Sequence, residues 1–108
     1  MSVSLRLGDL RDKQPRRITI DGVPVAVVRV GTEVFAVNDT CSHAEVSLAE
    51  GEVSGCEIEC WLHGSRFDLR TGEPSGPPAF ESITTYPVQI EGVGDDAVVL
   101  VAVPEEAR

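Results

Sequence analysis

No apolar run in the chain reaches the roughly 20 residues that a membrane-spanning helix needs. The opening Met1-Ser2-Val3-Ser4-Leu5-Arg6 has no basic segment leading into an apolar one, so the expectation is a chain neither exported nor anchored. Cations are scarce: 9 Lys and Arg stand against 18 Asp and Glu, a net charge of −9. That balance argues against nucleic acid and against anionic membrane surfaces as partners. Cysteine occurs three times, an odd number that fits a reducing cytoplasm better than a disulfide framework. Asn38-Asp39-Thr40 matches a glycosylation site, which has no consequence without secretion. No stretch carries a helical period over eleven residues or more, and there are no repeats or low-complexity segments.

What is present is β pattern. Residues 17–20 and 23–30 flank Asp21-Gly22, a strong hairpin signal. Gly31-Thr32-Glu33 then turns into a strand over 34–37, and residues 84–90 and 97–103 read as two more. Gly92-Val93-Gly94-Asp95-Asp96-Ala97 fits the G-x-G-x-x-A dinucleotide fingerprint, but it opens a strand instead of a helix and is read as a turn. The expectation is a single all-β domain over 1–108, an antiparallel sandwich framework. A block at about 38–80, richer in Gly, Pro and charge, is inserted in it as a lobe.

That block holds the chemistry. Cys41-Ser42-His43 and Cys60-Trp61-Leu62-His63 form two arms, each with one Cys and one His, separated by sixteen residues. His43 and His63 are the only histidines in the chain. Two Cys and two His are also a zinc set, but zinc fingers pair like ligands within an arm, whereas each arm here mixes them. The C-x-H … C-x-x-H arrangement resembles the Rieske [2Fe–2S] signature, in which two histidines replace two cysteines on one iron. Residues 41–72 carry this resemblance, and Gly76-Pro77-Pro78 resembles the family's proline loop. The nearest type is the small ferredoxin component of bacterial aromatic-ring-hydroxylating dioxygenases.

The resemblance implies a [2Fe–2S] cofactor with Cys41 and Cys60 on one iron and His43 and His63 on the other. Charge explains the mixed set: two ferric ions, two sulfides and two thiolates sum to zero. Such clusters span roughly −150 to +300 mV, against about −400 mV for all-cysteine plant-type clusters. Around them the resemblance implies a Ser65 hydroxyl donating toward cluster sulfur, and rigid cover from Pro77 and Pro78. Trp61 either packs over the cluster to exclude water, the first expectation, or forms an apolar docking contact. Respiratory Rieske proteins have a disulfide between the two loops and a Tyr that bonds a cysteine sulfur. The matching positions here are Val46, Leu62 and Phe67, so the expected potential is low, roughly −150 mV.

Other residues have plainer readings. Cys56 is read as a small buried apolar residue, Phe35 and Phe80 as core, and Asp39 as a cap for backbone N–H groups. Residues 44–59 hold five Glu and no cation, either a solvated surface or an acidic face that steers a basic redox partner.

A mononuclear iron oxygenase centre needs two further histidines, and both are already committed. The chain is therefore expected to be a cytoplasmic, monomeric electron carrier and no enzyme. The resemblance implies two partners: an NAD(P)H-dependent flavoprotein ferredoxin reductase and a terminal Rieske non-heme iron oxygenase. Service in iron–sulfur assembly, or as the small subunit of a nitrite-reductase-like enzyme, are the alternatives.

Overall fold

The computed structural model describes residues 2–41, 46–62, 64–75 and 81–103. Apart from three single-turn 3-10 segments, all regular structure among them is strand. The strands are β1 (Ser2–Arg6), β2 (Arg16–Ile20), β3 (Val23–Val30), β4 (Glu33–Asn38), β5 (Glu52–Ser54), β6 (Glu57–Glu59), β7 (Arg66–Asp68), β8 (Thr85–Tyr86), β9 (Val88–Glu91) and β10 (Val98–Ala102). They form three antiparallel sheets, ordered β1-β10-β9, β2-β3-β4-β8 and β5-β6-β7. No helix among the described residues is long and apolar enough to cross a membrane.

The β2–β3 hairpin turns on Asp21 and Gly22, at φ of 50° and 82°. Two consecutive positive φ values match the twist of the flanking strands, which is why Asp-Gly serves there. β3 is apolar at nearly every position because both of its faces are buried. Val23, Val25 and Val27 enter a framework core with Val34, Ala36, Tyr86, Val99 and Val101. The alternate residues Ala26 and Val28 enter a second core with Val37, Cys41, Leu48, Ile58, Cys60, Phe67, Leu69 and Ile83. The four-stranded sheet is thus a wall, with the framework on one side and the lobe on the other.

Three strand expectations are corrected. Residues 84–90 are not one strand: Pro87 has no N–H to donate, and the chain changes sheets there. Tyr86 pairs with Ala36 in one sheet, and Val88 pairs with Val101 in another. β1 was not expected, although its alternate residues Val3 and Leu5 pack against the framework core. The lobe is more regular than a Gly- and Pro-rich insert suggested. Each of its strands places one apolar residue between two polar ones, and Val53, Ile58 and Phe67 pair across the sheet in a row facing the second core. The glycine-rich fingerprint at 92–97 is the connection between antiparallel β9 and β10, as expected.

Below β7, the chain turns back at Gly72, whose φ is 79° and whose carbonyl accepts the Ile83 N–H at 2.8 Å. A Cβ there would overlap the Ile83 carbonyl oxygen, whereas a Cβ on Gly22 meets open space. Gly72→Ala is expected to destabilise by about 2–4 kcal/mol, overpacking added to left-handed strain. Gly22→Ala, with strain alone, is expected to cost about 1–2 kcal/mol. Denaturant unfolding of the two variants against the parent checks the difference.

Candidate metal centre

The two arms open from the ends of strands and close in the same way. In loop one the Cys41 N–H donates to the Val46 carbonyl at 3.1 Å, and Thr40 bridges Ser47 just outside. In loop two the Cys60 N–H donates to the Ser65 carbonyl at 2.6 Å, and Glu59 pairs with Arg66 just outside. Each cysteine is therefore the first residue of a loop pinched shut five residues later. Gly64, at φ 76°, donates to the Cys60 carbonyl at 3.0 Å and lets loop two double back.

Both cysteines are buried, Cys41 at 3% and Cys60 at 0% exposure, and both belong to the core that Phe67 fills. None of the three cysteines is in a disulfide. His43, His63, Pro77, Pro78 and Phe80 lie outside the described residues. Among the described residues no three Cys, His, Asp or Glu side chains gather as a metal set, so Cys56 does not complete one with Cys41 and Cys60. Cys56 is half-buried in the β5–β6 turn, not buried as expected, because Gly55 turns the chain outward there at φ 58°. Its carbonyl accepts the Leu69 N–H at 2.8 Å.

Ser65 is 1% exposed, and its Oγ has no hydrogen-bond partner among the described residues. An unmet buried hydroxyl costs about 1–3 kcal/mol, so one standing beside the pinched Cys60 loop marks a place where an acceptor belongs. Phe67 is fully buried. Phe35 is half-buried, packed against the same core, with the Arg70 guanidinium 5.9 Å from its ring centre.

Trp61 is 51% exposed and its neighbour Leu62 41%. Trp61 lines a groove of about 300 Å³ with Glu50, Gly51, Glu52, Glu59, Cys60 and Gly64. Glu50, Glu52 and Glu59 of the acidic run thus gather at one wall of loop two, where Arg66 lies 3.8 Å from Glu59. Asp39 caps backbone as expected, receiving the Ala49 N–H at 2.8 Å. Sequence reasoning missed its charge partner, Arg17, at 3.1 Å. No local signal links residues 17 and 39, which only the β2–β3–β4 pairing brings together.

Comparison with known proteins agrees with this geometry. The family model described as "Rieske [2Fe-2S] domain" matches residues 2–87. The ferredoxin component of biphenyl 2,3-dioxygenase from Rhodococcus jostii (strain RHA1) is 40% identical over 92 residues, covering 85% of this chain and 84% of that protein. Among solved structures, the ferredoxin of carbazole 1,9a-dioxygenase from Nocardioides aromaticivorans IC177 superposes with a TM-score of 0.83 at 39% identity, covering 91% of this chain and 92% of that one. A ferredoxin solved in complex with the oxygenase of carbazole 1,9a-dioxygenase gives 0.79 at 32% identity, covering 91% and 99%. Pinched cysteine loops on an all-β frame, a family match over most of the chain and relatives named as ferredoxin components of dioxygenase systems lead to one conclusion: the chain belongs to the Rieske [2Fe-2S] family, among its electron-carrying ferredoxins.

Proposed function

We propose that Cys41 and Cys60 hold one iron of the [2Fe–2S] cluster through sulfur and that His43 and His63 hold the other through imidazole. In this reading the chain is one domain that carries electrons from an NAD(P)H-dependent flavoprotein reductase to the terminal oxygenase of an aromatic-ring-hydroxylating system. It works in the cytoplasm, where NAD(P)H is supplied. The observation that carries the reading is the pair of buried cysteines at the mouths of two equivalently pinched loops. The residues fit the group: two thiolate donors share one apolar core, and a buried hydroxyl lacks an acceptor beside one of them. When bound, the cluster supplies a one-electron couple.

The chain's own residues do the rest. Phe67, Leu48 and Ile58 keep water from the cysteine side, where a low dielectric strengthens every hydrogen bond to sulfur. With the cluster bound, the Ser65 hydroxyl would donate to sulfur and so favour the reduced, more negative state. Trp61 and Leu62 offer apolar contact area at the tip of loop two, and Glu50, Glu52 and Glu59 beside them attract a basic partner face. The ferredoxin–oxygenase complex of the carbazole system supports an oxygenase as the electron acceptor.

Two features that raise the potential in respiratory relatives are missing. Val46 and Leu62 cannot form a disulfide, and Phe67 has no hydroxyl to offer sulfur. Voltammetry on the purified protein is expected to give a potential of roughly −150 mV, flat through neutral pH. A potential well above zero that falls with pH near neutrality would contradict this reading and point to a quinol-oxidising partner. Ser65→Ala is expected to lower the potential by about 40 mV, since one electron equates about 1 kcal/mol with about 40 mV. An unchanged potential in that variant would remove Ser65 from the site.

A further inference from the structure

Loop one has a support with no counterpart at loop two among the described residues. Asp39, two residues before Cys41, is 2% exposed. Its Oδ1 accepts the Ala49 N–H at 2.8 Å, and its Oδ2 accepts the Ser47 hydroxyl at 2.5 Å and Arg17 Nε at 3.1 Å. Its backbone is engaged on both sides: its N–H donates to the Pro24 carbonyl at 3.0 Å, and its carbonyl accepts the Leu48 N–H at 2.6 Å. One residue therefore joins the β3 wall, the edge strand β2 and the far end of loop one. Every bond that it makes to residues 47–49 closes the ring around Cys41 from outside the Cys41–Val46 pinch. The corresponding charge pair at loop two, Glu59 with Arg66, is 3.8 Å apart and half exposed.

A carboxylate this deep is expensive unless its lone pairs are met, and removing one partner of a buried pair is more damaging than never having the pair. The three side-chain bonds meet that demand, and each ends on loop one or on the framework. Stability alone would be served as well by an apolar residue in this apolar surrounding. The directed bonds add a fixed orientation.

We infer that Asp39 is a positioning residue: with Arg17 holding its charge, it fixes the two ends of loop one, Cys41 and the residues from Val46 to Ala49, relative to the framework. The inference rests on the proposed ligand set, and it concerns residues that no ligand motif includes. Asp39→Asn keeps the shape and the acceptor for Ala49, but its amide nitrogen cannot accept from Ser47 or Arg17.

The test compares the parent with Asp39→Asn, Arg17→Gln and the double variant, each purified with its cluster. The readouts are the EPR line shape of the reduced protein, the potential and the rate of iron loss to a chelator. Asp39→Asn is expected to change the line shape and to speed iron loss about tenfold or more. Arg17→Gln is expected to change the line shape in the same sense, less strongly because Arg17 is exposed, and the double variant is expected to go no further than Asp39→Asn. A lower melting temperature with the parent's line shape and iron-loss rate would overturn the inference, leaving a merely structural residue. Potentials moved in opposite directions with unchanged line shapes would also overturn it, as that is the mark of charge acting through space. If Asp39→Asn does not fold, Ser47→Ala with Arg17→Gln decides the same question. A parent that shows no Rieske EPR signal would instead sink the functional reading.

Discussion

Everything in this molecule depends on a strand with two dry faces. β3 sends Val23, Val25 and Val27 into the framework core and Ala26 and Val28 into the lobe core. With a side-chain period of two, a slip of one residue would exchange the two sets and place small Ala26 where valine is needed. The register of β2 and β4 on either side is fixed by the same demand. Because the lobe core is the back of that sheet, the two cysteines are buried against a surface that the framework already holds rigid.

The chemistry follows from how the loops leave that surface. Each cysteine opens a loop whose mouth is closed by its own N–H five residues on. The thiol side is dry, and the tip at Trp61 and Leu62 is open. An electron carrier needs this asymmetry. Burial limits solvent reorganisation around the metal, and an exposed edge gives a partner a short path. The acids along loop two add a field that works at encounter, over distances of about 8–10 Å at ordinary salt. In the proposed reading their part is in partner choice and association rate.

Much of this was legible in the amino-acid order, for reasons that differ by element. The β2–β3 hairpin announced itself through Asp21-Gly22, because few residues tolerate two positive φ values in succession. The cysteine and histidine arms stood out as a candidate ligand set because a chain with only two histidines placed both at ligand spacing, and the described part of that set, Cys41 and Cys60, shares one core. The lobe strands were not, since a three-residue strand such as Glu57–Glu59 holds only one apolar residue and shows no period. β1 alternates clearly over Ser2–Arg6 and went unread. Pro87 was present in the expected strand over 84–90, and its missing N–H was the sign of the sheet change. Trp61 had two readings, cover for the cluster or an apolar docking contact, because its neighbours in sequence do not fix how far the indole stands out; it is half exposed. The Arg17–Asp39 pair depends on sheet pairing, which no local pattern encodes. The histidine side of the site lies outside the described residues, and its assignment rests on spacing and family.

The central claim is therefore the mixed ligation, and it can be tested directly. Because His43 and His63 are the only histidines, protein labelled with nitrogen-15 histidine gives an unambiguous nitrogen signal. Pulsed EPR on the reduced, labelled protein should show strong coupling to the imidazole nitrogens of two histidines, with two irons and two labile sulfides per chain. An all-cysteine-type spectrum without nitrogen coupling, or zinc in place of iron, would contradict the account.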